Sequence, residues 1–236
     1  MGLVLNWLLL GFLPGLLTSA IVWAVRRLAV RTASRRRWAL AAPERLRICI
    51  AASPDVETGE YRRPSTGIGQ AVALALIAPS IARGWRDIDI QSVYFPQDLP
   101  GRDLESDLIL LGGPKTNDQT RSALHELSAR LDVTQDGSVI VAGGQRFEGS
   151  SDSNSIESDY GLVIRTSNPF SPTHRIIILS GSHTYGTVAA ARFLVESPEA
   201  RRSGDLVVVV RSRIRRGHAL TPEVVWDASM GDAKGA

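Results

Sequence analysis

The sequence predicts a three-layer α/β domain built on a mainly parallel sheet and preceded by one N-terminal transmembrane helix. Three observations carry this. Residues 1–25 hold no ionisable side chain, and eight arginines follow within residues 26–47. Short apolar runs then alternate with helical patterns, as parallel strands with crossover helices require. Several of these runs end in glycine-containing turns that lead into a helix.

The first element is the apolar run 3–25. At about 1.5 Å per residue it is long enough to cross a hydrocarbon core of about 30 Å. A helix there satisfies its own backbone hydrogen bonds, the main demand of that medium. Asn6, Thr18 and Ser19 are its clearly polar side chains, and Gly11, Pro14 and Gly15 are tolerated in such helices. Arg26, Arg27, Arg31, Arg35, Arg36, Arg37, Arg45 and Arg47 all lie on the C-terminal flank. By the positive-inside rule the C-terminal domain is cytoplasmic and the N-terminus outside. Residues 17–20 offer small side chains for signal-peptide cleavage. The basic N-terminal region of such a peptide is missing, however, and the apolar run continues through Ile21-Val22-Trp23-Ala24-Val25. A buried core helix rarely stays uncharged for so long. The expected organisation is an anchor at 1–27, a basic juxtamembrane linker at 28–44, of which 32–43 can also continue the membrane helix for some turns, a cytosolic domain at 45–227 and a flexible tail at 228–236.

Charge follows this division. Eight arginines against Glu44 give +7 over residues 26–47, so the chain's +3 leaves −4 for residues 48–236. The basic segment therefore predicts anionic lipid headgroups as partners, and the acidic domain argues against nucleic acid. Near the C-terminus, Arg201, Arg202, Arg211, Arg213, Arg215 and Arg216 read as a solvated face. The single cysteine, Cys49, excludes an intrachain disulfide and reads as a small buried residue. His125, His174, His183 and His218 are scattered, without metal-site spacing, so no metal is assigned.

In the soluble part, residues 46–52 read as a strand and 53–65 as a polar loop. Residues 67–83 read as a helix that Pro79 should kink or shorten. Residues 88–95 and the wholly apolar 108–111 are the next strands. Asn117 or Asp118 caps a helix ending near Leu131, with Leu124, Leu127 and Leu131 on its core face. Residues 138–142 form a strand, and 149–158 a polar, mobile loop. Residues 160–165 suggest a hairpin or edge insertion. A strand at 175–180, a helix at 184–196, a buried strand at 206–211 and an edge strand at 224–226 complete the domain. This alternation is Rossmann-like or flavodoxin-like, with strand order left open.

Ligands of such sheets bind beyond the carboxyl ends of the strands. Three turns fall there. The first is Pro64-Ser65-Thr66-Gly67-Ile68-Gly69-Gln70, the second Gly112-Gly113-Pro114-Lys115-Thr116-Asn117, and the third Gly181-Ser182-His183-Thr184-Tyr185-Gly186-Thr187. Glycine permits sharp turns and close approach, and helix N-termini favour phosphate or carboxylate. The predicted ligand-binding residues are Ser65, Thr66, Gly67, Gly69, Gly112, Gly113, Lys115, Asn117, Gly181, Ser182, Thr184 and Tyr185. His183 is the candidate acid or base, with no group in the sequence to orient it. Each turn also reads as an ordinary capped strand–helix junction, for neither GxGxxG nor Walker A spacing is complete. Asp98, Asp103, Glu105 and Asp107 read as a solvated loop, while Glu57 and Glu60 lie where a loop would overhang the pocket. Asn168, in a turn, is also within the reach of a ligand.

Leu108-Ile109-Leu110-Leu111-Gly112-Gly113-Pro114 followed by Asn117 resembles the strand–GGPxxN element of S-layer-like proteins and of uncharacterised prokaryotic Rossmann-like α/β domains. The likeness covers about ten of 236 residues and implies a strand, turn and helix. A surface-layer role conflicts with the cytoplasmic orientation. One membrane helix on a cytosolic Rossmann-like domain is similar in layout to some bacterial nucleotide-signal or defence effectors. The sequence thus leads to a membrane-anchored sensor or effector that binds a nucleotide or another anionic small molecule. A nucleotide- or NAD-processing hydrolase or glycosyl-transferring enzyme is the second reading, and a membrane-tethered protein-interaction module the third. No cofactor or oligomeric state is assigned.

Overall fold

Alternate residues of a strand face opposite sides of a sheet, so each central strand here feeds two cores. The computed structural model describes residues 2–57, 62–85, 88, 90, 92–152 and 155–231. Its elements are α1 (Gly2–Trp38), β1 (Arg47–Ile50), the hairpin β2 (Ser53–Glu57) and β3 (Arg62–Ser65), α2 (Ile68–Gly84), β4 (Val93–Tyr94), β5 (Leu108–Leu111) and α3 (Asp118–Leu131). A meander follows, β6 (Val133–Asp136), β7 (Val139–Ala142) and β8 (Gln145–Glu148). The chain then continues through β9 (Ser150–Asp152), β10 (Ser155–Asn168), β11 (Ser171–Gly181), α4 (Thr184–Glu196), β12 (Leu206–Arg215), β13 (His218–Ala219), β14 (Glu223–Asp227) and α5 (Ala228–Gly231).

The central sheet runs β13-β12-β10-β11-β5-β1-β4, with β14 on β12 and β9 on β10. The block β4-β1-β5-β11 is parallel. Beyond it β10 is antiparallel to both β11 and β12. The expected mixed α/β architecture is present, and the hairpin suggested at 160–165 lies at the centre of the sheet. Ile48, Ile50, Ile109, Leu111, Ile177 and Leu179 face α1, α2 and α4. Cys49, Leu108, Leu110, Ile176 and Ile178 face α3 and the meander. Each such large side chain contributes about 1.5–3 kcal/mol on burial.

The segment expected as a linker is helical through Trp38 and docks on the domain. Trp38 is fully buried, and its Nε1 donates to Ser80 Oγ at 3.0 Å. Ser34 Oγ donates to the Ser80 carbonyl at 2.6 Å, and Arg31 and Arg35 Nε donate to the Gly84 carbonyl at 3.1 and 2.9 Å. Small residues on α2 permit this approach: a Cβ at Gly84 would lie 3.1 Å from Ser34 Oγ. Pro79 does not shorten α2, which runs 17 residues around it. These contacts make α1 antiparallel to α2, so α1 leaves the domain beside Gly84. That point is about 25 Å along α2 from its first turn. The side chains of α1 are described from residue 15, and Leu16, Leu17, Ile21, Trp23 and Val25 are exposed. Among the described residues, no helix is long and apolar enough to cross a membrane.

Other expectations shift with the tertiary structure. The polar stretch 53–65 contains the β2–β3 hairpin, and the strand expected over 88–95 is realised at Val93–Tyr94. Asp89 and Gln91 of that stretch lie outside the described residues, as do Glu60, Ser153, Asn154 and residues 232–236. The loop expected over 149–158 carries β9 and the start of β10. Asp107, read as solvated, is buried. It clips two chain segments by accepting from Ala42 N at 2.6 Å and Arg175 N at 2.7 Å. Within the C-terminal basic group, Arg202 pairs with Asp227 and Arg211 with Glu223.

Candidate functional site

The parallel register decides where the site forms. Ile50 pairs with Leu111, and Leu111 with Leu179, so three strands end at one level. The turns that follow are therefore side by side. They open a cleft of about 980 Å³, walled also by residues 135–138 of the meander and by Ile156. Gly67, Gly113, Lys115, Gly181, Ser182, His183 and Thr184 of the sequence-derived set line it.

The remaining predicted residues have other places, each with a physical reason. Ser65 Oγ donates to the Pro54 carbonyl at 3.0 Å, and Thr66 Oγ1 to the Ala51 carbonyl at 2.7 Å. These bonds tie the β2–β3 hairpin down in front of α2. Gly69 lies where α2 crosses α4, and a Cβ there would collide with the Thr184 backbone. Gly112 takes φ +103°, in the region that favours glycine, and a Cβ would lie 2.5 Å from Ala51 Cβ. Asn117 is fully buried and caps α3: its Oδ1 accepts from Gln119 N at 3.1 Å and Thr120 N at 3.2 Å. Its Nδ2 donates to the Cys49 and Leu111 carbonyls. Tyr185 points its hydroxyl toward Gly217, away from the cleft. Asn168 is buried in the β10–β11 turn, donating to the Leu104 and Ser106 carbonyls at 2.7 and 2.9 Å.

Three helix N-termini approach the cleft, and they differ in charge. Asn117 caps α3, and Asp118 follows in its first turn. At α4 a buried carboxylate, Asp159 from β10, accepts from Gly186 N at 2.6 Å, Tyr160 N at 2.9 Å and His183 N at 3.0 Å. The positive end of that helix is thus already occupied by a carboxyl group. At α2, Gly67 provides no side-chain cap, and the first turn has no acidic residue. Lys115 and Arg121 enter the cleft from the β5–α3 side. Three buried polar atoms of the lining residues lack hydrogen-bond partners among the described residues: Gln70 Oε1, His183 Nδ1, and Ser182 Oγ in a residue 7% exposed.

Asp159 is also the acidic neighbour of His183 that the sequence did not reveal, accepting from its backbone N–H without a hydrogen bond to the ring. Its Oδ1 lies 3.4 Å from His183 Nδ1, and the imidazole is about one-third exposed. With Nδ1 turned inward, the edge carrying Nε2 meets the cleft. Gly149 backs this pair: a Cβ there would lie 2.6 Å from His183 Nδ1 and 3.0 Å from Asp159 Oδ1. Burial pushes the Asp159 carboxyl above its ordinary value, while the Gly186 N–H, His183 and the other two N–H groups pull it back. Gln135 was likewise missed. Its Nε2 donates to the Gly181 carbonyl at 3.0 Å, and its Oε1 accepts from Ser180 Oγ at 2.6 Å, fastening the meander over the cleft.

Cys49 sits beneath the floor, its thiol pushed up to about 12 by burial, with the Asn117 hydrogen bond acting in the opposite direction. Among the described residues no group of His, Cys, Asp and Glu is arranged to hold a metal ion. No protein-family model matches the chain, and no curated protein matches it.

Proposed function

We propose that this protein is a membrane-anchored sensor or effector domain whose cleft takes a nucleotide or another phosphate-bearing small molecule. One observation carries the reading: the uncapped N-terminus of α2 faces the same cleft as Lys115, with Ser182 Oγ unpartnered between the walls. Partial positive charge at a helix start, a full charge opposite and a free hydroxyl suit phosphate. The α4 N-terminus does not compete for it, because Asp159 occupies that end. The ligand is water-soluble on this reading, since the cleft lies at the end of α2 opposite the departure of α1.

The anchor part of the proposal rests on the uncharged run 3–25 and on exposed apolar side chains around α1. The arginine flank gives the domain a cytoplasmic position.

The second reading is an enzyme acting on the same class of ligand. It is favoured by the 3.4 Å approach of Asp159 Oδ1 to His183 Nδ1, which places a carboxyl beside an imidazole that would take a proton from water or a ligand hydroxyl.

Calorimetry of the detergent-solubilised chain with nucleoside mono-, di- and triphosphates and cyclic dinucleotides tests both. Lys115→Ala should weaken binding about tenfold or more, as loss of a hydrogen bond to a charged group does. Binding of none of these ligands at millimolar concentration would end the sensor reading. For the enzymatic reading, His183→Ala should keep binding but lower turnover of the bound nucleotide by about a hundredfold or more. Unchanged turnover would remove His183 from the chemistry.

A further inference from the structure

A second recess, of about 500 Å³, lies between α1 and the end of α2, far from the cleft. Trp23, Arg26, Arg27, Val30 and Arg31 of α1 line it together with Arg83 of α2. We propose that this recess seats the phosphate headgroup of an anionic phospholipid. The inference deepens the membrane-anchored reading above and rests on it.

Four guanidinium groups converge on one depression, and none is paired with a carboxylate among the described residues. The charge is also felt deeper in the domain. Arg37 is held below its ordinary value by burial first and by Arg201 and Arg83 as like-charged neighbours. Among the described residues such a cluster has no counter-charge, and a phosphodiester supplies one with acceptors matched to guanidinium forks.

Position identifies the source of that phosphate. The recess begins where the apolar run ends. Trp23 is exposed, with the Arg27 guanidinium 4.9 Å over its ring. A tryptophan beside arginines at the end of an apolar helix is the pattern of a bilayer interface. From Trp23 to Arg31 the helix rises about 12 Å, enough to cross one headgroup layer of about 5–8 Å. Arg83 distinguishes a seat from a merely basic stretch of helix. It comes from a different element, and the docking of Ser34, Arg35 and Trp38 on α2 fixes its distance from α1.

The test is native mass spectrometry of the full chain released from detergent, with phosphatidylglycerol and phosphatidylcholine supplied in equal amounts. Wild-type protein should retain phosphatidylglycerol preferentially. Arg83→Gln should reduce that preference about fivefold, the effect of one basic residue at an anionic surface. Arg213→Gln, an exposed arginine outside the recess, should leave it unchanged. Equal retention of both lipids, or an Arg83→Gln variant like wild type, overturns the headgroup seat while leaving the anchor intact. Flotation with phosphatidylcholine vesicles separates the two failures. A full chain that stays in the aqueous fraction overturns the anchor and the seat together.

Discussion

At the scale of single residues, Asp159 shows how burial and hydrogen bonding give one side chain two tasks. It accepts from the first turn of α4 and from the His183 backbone N–H. The turn that the sequence offers does not by itself set this pairing. Asn168 pairs with Ser171, but a register shift between Ser167 and Asn168 moves the partner of Ser167 to Arg175, which sets Gly161 against Gly181 and, two residues further out, brings 159 level with 183. The position of the turn was legible, but neither the register shift beside it nor the length over which the strands stay paired was. Asp227 is the opposite electrostatic case. Burial alone would raise its carboxyl, but two bonds from Arg202, at 2.6 and 2.9 Å, and two from Ser229 outweigh this and hold it below its usual value. A lowered folded-state value stabilises above the unfolded pKa of about 3.9 and is lost as pH falls through the folded value. Asp227→Asn should therefore cost about 1 kcal/mol at neutral pH, modest because Arg202 is partly exposed. The difference from wild type should vanish toward pH 2, and urea unfolding at the two pH values measures it.

At the scale of elements, the helices were legible where periodicity and capping agreed. The asparagine cap and leucine face of α3 were expected and are present. The end of α1 was not legible, because arginine is as compatible with a solvated linker as with a helix. Its last turn is fixed by a residue distant in sequence. Arg165, fully buried on β10, donates to the Arg37 carbonyl at 2.5 Å, the Ala200 carbonyl at 2.9 Å and the Arg202 carbonyl at 2.5 Å. The guanidinium thus caps α1 and binds the segment before β12, and burial lowers its pKa to about 10. Glycine acts at this scale too, since α2 and α4 approach through Gly69. Gly69→Ala should destabilise the domain by about 1–3 kcal/mol, because the obstacle is the Thr184 backbone, which has no rotamer to change. Chemical denaturation against wild type measures this, and an unchanged midpoint would show that the helices separate freely.

At the scale of the whole molecule, α1 and the cleft lie toward opposite ends of α2, so an anchored domain would present its cleft to the aqueous phase. Orientation is testable because Cys49 is buried and its thiol is pushed up to about 12, leaving it unreactive in the native protein. A Ser138→Cys variant at the cleft rim should react with a membrane-impermeant maleimide in inverted vesicles and not in intact spheroplasts. The reverse result would place the domain outside the cell. By itself the sequence determined the α/β alternation, the charge division and the three glycine-containing turns, because these follow from local periodicity and composition. Tertiary structure decided the rest. Strand register brought the turns into one cleft, the long hairpin delivered Asp159 to His183, and helix docking joined Arg83 to the arginines of α1. Each of these depends on pairings between residues far apart in the chain, which no local pattern encodes.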